Sequence, residues 1–99
     1  MLYSEFVDRV GKVCTVEEYH SIVEPEYYNF PGNKDEFCLK FIERELHRTN
    51  DEYLESRKYL EQALVAHNDE QIEVWLANTK MWDEIWHDLM SHREALCYR

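Results

Sequence analysis

Apolar residues recur at helical spacing along the last third of the chain. Wound at about 100° per residue, Trp75, Trp82 and Trp86 fall within about 40° of one another. Asn68 stands at the start of this stretch with Gln71 three residues later, which is the spacing of a capping box that opens a helix. Because neither glycine nor proline occurs beyond that point, the pattern predicts one long C-terminal helix over about 68–97.

The tryptophan face of this helix is the most apolar surface that the sequence predicts. Each indole removes on the order of 200 Å² from water when it is buried, so the three together contribute roughly 15 kcal/mol before opposing terms are counted. We therefore expect this face to turn inward as the main packing face. The core residues predicted on it are Trp75, Trp82, Trp86 and Leu89.

Shorter helices are predicted in the first half of the chain. Apolar spacing predicts the first over about 2–13. Thr15 and Glu18 form a capping box that opens the second helix. We expect this helix to be short, because Pro25 disfavours the helical conformation of the residue before it.

Two further capping boxes follow the Pro31-Gly32 turn. Asn33 and Thr49 each have a glutamate three residues later, and they predict helices that run to about residue 47 and about residue 67. The fold class predicted is all-α, a compact bundle of four to five helices in a single domain over 1–99.

The break before the C-terminal helix admits two interpretations, because no glycine or proline enforces it. A single helix from Asp51 to Cys97 would be about 70 Å long and would have to find its core in a second chain. We favour a fold-back near His67–Asn68, because asparagine followed by aspartate is a poor helix interior and a good helix start.

The amino-acid composition excludes several classes of protein. Two glycines and two prolines in 99 residues argue against a turn-rich β protein. The cysteines, Cys14, Cys38 and Cys97, are too widely spaced for a disulfide framework or a zinc knuckle. The N-terminal residues have no basic and apolar leader pattern, and no apolar run is long enough for a membrane span. We expect a soluble, cytoplasmic protein.

The charge of the chain is unusual. It carries 21 acidic against 11 basic residues, a formal net charge of −10, and both halves are acidic. A field of this sign repels phosphate backbones and anionic lipids, and it speeds encounter with basic surfaces. We therefore expect neither direct nucleic-acid binding nor membrane binding.

Two Glu-x-x-His spacings, Glu17 with His20 and Glu84 with His87, are the strongest candidates for a metal site. At about 100° per residue, Glu84 and His87 point away from the tryptophan face, so they do not converge inside a bundle. The cysteines lie in apolar stripes, and no glycine-rich loop is present to bind phosphate. We expect no catalytic residue, no metal and no cofactor, with a metal-dependent enzyme as the weakest hypothesis.

Glu45 is the one acidic residue inside the apolar arc of the third predicted helix. Burial without a partner would perturb its chemistry. The favoured alternatives are a salt bridge to Arg48 or Arg44, or a position at the exposed edge of the arc.

Carboxylates stand beside tyrosines in three segments, 17–19, 24–28 and 51–53. Carboxylates along a helix can substitute for phosphates, and tyrosines provide rigid contact area. The alternative is that the tyrosines fill the core while the acids keep the protein soluble. The partner-binding residues predicted are Glu17, Glu18, Glu24, Glu26, Tyr27, Tyr28, Asp51 and Glu52.

The function predicted is a non-enzymatic, acidic protein-binding module that inhibits or regulates a partner by covering its basic, nucleic-acid-binding type of surface. In size, acidity and predicted helicity the chain resembles small phage inhibitors of restriction or CRISPR systems. That resemblance is one of composition and implies the same mode of action. The alternative is a self-associating structural or regulatory protein, a homodimer formed through the C-terminal helix.

Overall fold

The computed structural model describes residues 1–98, and within that range it contains four helices and no strand. The prediction of an all-α fold is confirmed. Helix α1 is Tyr3–Val10, α2 is a helical segment over 16–28, α3 is Lys34–Val65 and α4 is Asp69–Cys97. The two long helices, α3 and α4, pack against each other along their length.

The fold-back between α3 and α4 occurs where the sequence favoured it. His67 has φ of 53°, the left-handed conformation that commonly ends a helix. The amides of His67 and Asn68 donate to the carbonyls of Leu64 and Ala63, and the Asn68 side chain accepts from the Gln71 amide at 3.2 Å. The chain therefore forms a helical hairpin and not a single rod.

The predicted helix start at Thr49 is wrong. Helix α3 runs without a break through this position, and the Thr49 side chain is fully buried. A cap would require an extended backbone at Thr49. Staying helical keeps every backbone bond of the turn and lets this side of α3 pack against α4, which a pattern of four residues cannot reveal.

The predicted end of the second helix before Pro25 is also wrong. The helix passes Pro25 by way of a wider, π-helical turn over Tyr19–Val23, in which the Glu24 amide donates to the Tyr19 carbonyl. Such a turn relieves the clash between a proline ring and the carbonyl four residues earlier. Pro25 then sits in the first turn of Glu24–Tyr28, where no amide hydrogen is needed.

The buried core lies at one end of the hairpin. It combines residues of α1 and α2 with the first turns of α3 and the last turns of α4. Its buried apolar members are Phe6, Val10, Tyr19, Val23, Phe37, Cys38, Phe41, Ile42, Leu89 and Leu96. Gly11, which ends α1 with φ of 87°, lets this end of α1 approach α4 closely, because an added Cβ would lie 2.9 Å from the Asp88 carboxylate.

The tryptophans lie outside this core. Leu89 is 1% exposed, whereas Trp75, Trp82 and Trp86 are each only partly buried. Trp75 stacks on Tyr59 with ring centroids 4.7 Å apart. The tryptophan face is thus turned toward α3, but α3 alone covers it.

Small side chains on α3 permit this packing. Thr49, Ser56 and Ala63 are spaced seven residues apart, and all three are buried against α4. Large residues of α4 at the same spacing, Trp75 and Trp82, face this row of α3. Helix-helix packing therefore continues beyond the core without the support of α1 or α2.

We call residues 51–82 the arm and the rest of the described chain the base. The molecule measures 51 × 29 × 19 Å, and its thinnest dimension corresponds to two layers of helices. The arm consists of α3 and α4 alone, and only Ser56 and Ala63 are buried there.

Candidate interaction surfaces

The predicted carboxylates of α2 are largely occupied by groups of the same chain. Glu18 accepts from the Thr15 amide at 3.0 Å, and this hydrogen bond lowers the pKa of Glu18. Glu24 lies 3.4 Å from the His20 ring, and Glu26 accepts from Arg44 at 3.0 Å. Glu17 is the exception, since it is exposed and forms no ion pair within residues 1–98.

The two predicted tyrosines of α2 differ from each other. Tyr27 is partly buried and packs its ring on Phe37 at 5.2 Å between centroids. Tyr28 is 71% exposed. Tyr27 therefore completes the core, and Tyr28 is the one ring of this segment that is available to a partner.

Asp51 and Glu52 lie on α3, at the start of the arm. Asp51 is exposed and Glu52 is partly buried. The structure thus divides the predicted set into two groups, one on α2 beside basic side chains of the base and one on the arm.

Glu45 is paired, which was one of the favoured alternatives. Its carboxylate accepts from Arg48 through Nε at 3.1 Å and Nη2 at 2.8 Å. The Arg48 guanidinium also lies over the Trp82 ring, 5.9 Å from its centroid. This arginine therefore links the base to Trp82, the arm residue next to it.

Metal ligands do not converge in the part of the chain that the structure describes. No group of three or more histidine, cysteine or acidic side chains there could hold a metal ion. His87 lies 3.5 Å from Asp83, four residues earlier on the same helix. Burial raises the pKa of the Cys14 thiol, which works against a nucleophilic thiolate.

The base contains the two most perturbed ionisable groups. Lys34 donates to the Glu5 carboxylate, and with the Leu2 amide it lowers the pKa of Glu5 to about 2. Tyr19 is fully buried and donates to the Met1 carbonyl, and burial raises its pKa to about 12. Both groups join α1 to neighbouring segments, so their perturbation reflects the packing of the base.

The arm carries an apolar surface that the sequence pattern did not reveal. Seven of the twelve large apolar side chains exposed within residues 1–98 lie there. They are Leu54, Tyr59, Leu64, Val65, Val74, Leu76 and Met81. The available signal was that several of these residues fall outside the tryptophan face, so a two-helix pair cannot bury them all.

Carboxylates are interspersed with this apolar surface. The arm contains seven acidic side chains against three basic ones, Arg57, Lys58 and Lys80. Arg57 lies 3.7 Å from Glu61, and the other six acidic side chains form no ion pair with the described residues. Unlike Glu24 and Glu26 of α2, these six are free to meet charge from outside.

Comparison with known proteins adds no relative to these observations. No protein-family model, curated protein or solved structure matches the chain. Among the helices of residues 1–98, none has the length and apolarity needed to cross a membrane. Function must therefore be argued from geometry and charge.

Proposed function

We propose that this chain is a non-catalytic, acidic protein-binding module that covers a basic surface of a partner protein. The observation that carries the proposal is the arm, where unpaired carboxylates lie beside exposed apolar side chains on a two-helix projection. Its mode of action would be that of an inhibitor or regulator that occupies a surface otherwise used for nucleic acid.

Electrostatic steering is the first step of the proposed mechanism. The net charge of −10 attracts a basic surface from a distance. Close contact then depends on carboxylates that are not already paired with a basic side chain of the same chain. The acidic side chains of the arm, which include Asp51 and Glu52, meet this condition better than Glu24 or Glu26, because Glu24 faces His20 and Glu26 faces Arg44.

Apolar contact is the second step. Exposed side chains such as Tyr59 and Val74 give the contact area that charge alone does not provide. On α2, Tyr28 and Glu17 remain available as a secondary contact.

The test uses the immobilised chain to capture a partner from host extract, followed by affinity measurements with the purified partner over increasing salt. We expect affinity to fall steeply as salt rises, because screening weakens attraction between opposite charges. Affinity that stays constant from low to high salt would contradict the charge-led mechanism.

A matched pair of variants locates the contact. Glu55→Gln with Glu73→Gln removes two charges from the arm, and Glu84→Gln with Glu94→Gln removes two from the rest of α4. We expect the arm variant to slow association with the partner by several fold more than the control. Equal slowing would show that net charge acts without a preferred surface.

A further inference from the structure

In the base, one side of the α3–α4 pair is covered by α1 and α2 and the other is open. On the covered side, Val13 and Val23 lie beside Phe41 and Arg48 of α3, and Gly11 contacts Asp88 and His92 of α4. On the other side, a groove in the base is lined only by α3 and α4, including Leu46, Asn50 and Trp86. The open side therefore has no third layer.

Each long helix presents a row of residues along this open side, spaced alternately four and three apart as in a coiled coil. None of the twelve is buried. We call these two rows the open strip. The row on α3 is Leu46, Asn50, Tyr53, Arg57, Leu60 and Leu64, and the row on α4 is Ile72, Leu76, Thr79, Asp83, Trp86 and Met90.

The two rows lie on the same side of the helix pair. Each α4 member follows a member of the α3 row by 26 residues, which is also the offset of Trp75 and Trp82 from Thr49 and Ser56 in the rows that face each other. Both rows are therefore rotated by the same angle from the line that joins the two antiparallel helices, which places them on one side. Eight of the twelve are large apolar residues. A surface two helices wide and patterned in this way is covered by another pair of helices, which closes a four-helix bundle.

Charge identifies the occupant. The open strip contains one cation, Arg57, and one anion, Asp83, so it is neutral although the chain carries −10. A basic partner would seek the acidic surfaces and not this one. Two copies of an acidic chain, by contrast, can approach closely only where their surfaces carry no net charge.

The size of the strip is sufficient for a stable pair. From Leu46 to Leu64 it extends for about 27 Å, and two helices give it a width of about 20 Å. Side chains make the accessible area larger than this projection, which brings it close to the roughly 800 Å² per partner that stable complexes bury. We propose that a second copy of this chain docks on the open strip, forming a symmetric dimer.

The test is the mass in solution, measured by light scattering after gel filtration and by sedimentation over a wide concentration range. We expect a species of twice the chain mass that persists as salt rises, because salt screens the repulsion between two acidic chains. Salt then separates this dimer from the basic-partner complex, which salt weakens. A chain that stays monomeric at every concentration overturns the dimer and leaves the proposed function untouched.

Two variants two residues apart give the matched control. Leu76→Glu lies in the open strip, and Val74→Glu lies on the opposite side of α4 with similar exposure, 48% against 56%. We expect Leu76→Glu to raise the dimer dissociation constant by more than about a hundredfold, because two-fold symmetry places two carboxylates in the interface. Val74→Glu should leave it within a few fold.

A second substitution in the open strip, Leu64→Glu, tests whether the loss of the dimer in Leu76→Glu comes from the strip as a whole and not from a disturbance at residue 76 alone. This side chain is 49% exposed, so the monomer should keep its helical circular dichroism while the dimer is lost. A dimer that survives both strip variants, or that Val74→Glu disrupts equally, would show that another surface holds the copies together.

Discussion

At the scale of single residues, most basic side chains of the base face a carboxylate of the same chain. Arg9 contacts Asp35 at 2.7 Å, and Arg44 and Arg48 hold Glu26 and Glu45. Exposed pairs of this kind stabilise a fold by at most about 1 kcal/mol each. Their larger effect is on function, because the carboxylates that they hold are not free to meet a partner, whereas six of the seven carboxylates of the arm form no ion pair with the described residues.

The Glu5–Lys34 pair makes the stability of the base depend on pH. Lys34 lowers the pKa of Glu5 from 4.5 to about 2, so the ionised carboxylate favours the folded state. This stabilisation is complete above about pH 4.5 and is lost as pH falls toward about 2. We expect Glu5→Gln to lower the melting temperature at pH 7, with the difference from the parent chain disappearing near pH 2.

Other carboxylates also titrate in this range, so the difference between the two proteins is the quantity to measure. Glu36→Gln is a suitable control, since Glu36 is an exposed acid of the same region that accepts from the neutral Asn33 side chain. A Glu5→Gln difference that does not change between pH 7 and pH 2 would contradict the pairing.

At the scale of elements, the α3–α4 turn uses an unusual residue. His67 occupies the left-handed position of a helix end, where the absence of a side chain favours glycine. We expect His67→Gly to stabilise the chain by about 1 kcal/mol, because it removes steric strain at this position. The measurement is the free energy of unfolding in denaturant.

His47→Gly is the matched control, because His47 is exposed in the middle of α3. There glycine should destabilise the chain by about 1 kcal/mol through lost helix propensity. If both substitutions changed stability in the same direction, the turn would not have the left-handed geometry described.

Helix starts were largely predictable because a cap is a local device. Thr15, Asn33 and Asn68 each accept from an amide three residues ahead, at 2.9 to 3.2 Å. Thr49 has the same local pattern and fails, because burial against α4 favours continued helix. The helix end predicted before Pro25 is also absent, since a π-helical turn accommodates the proline ring. These outcomes depend on tertiary packing, which local spacing does not contain.

The candidate surfaces were less predictable than the helices. The sequence located acid–tyrosine segments, but it did not show that Arg44 and His20 would approach Glu26 and Glu24. Nor did it show that α1 and α2 would cover only one side of the long helices. Which side remains open is decided by where the short helices dock, and that is a property of the folded chain.

At the scale of the whole molecule, the base and the arm differ in how well they are buried. The base has a core of aromatic and aliphatic side chains from all four helices, whereas the arm buries only Ser56 and Ala63. Regions with few buried apolar contacts open at lower free energy than the core. We expect amide hydrogens in the arm to exchange through local openings and those of the base only through global unfolding.

Hydrogen exchange along α3 tests this difference within one helix. Residues 37–44 and 53–60 both lie in the helix interior, so end fraying affects neither. In the Leu76→Glu variant, at low concentration, we expect residues 53–60 to exchange at least about tenfold faster than residues 37–44. Equal protection would show that α4 alone stabilises the arm as well as the core stabilises the base. In the parent chain at high concentration, docking of a second copy on the open strip should slow exchange at residues 53–60, because the copy covers a face of α3 and α4 that the monomer leaves exposed.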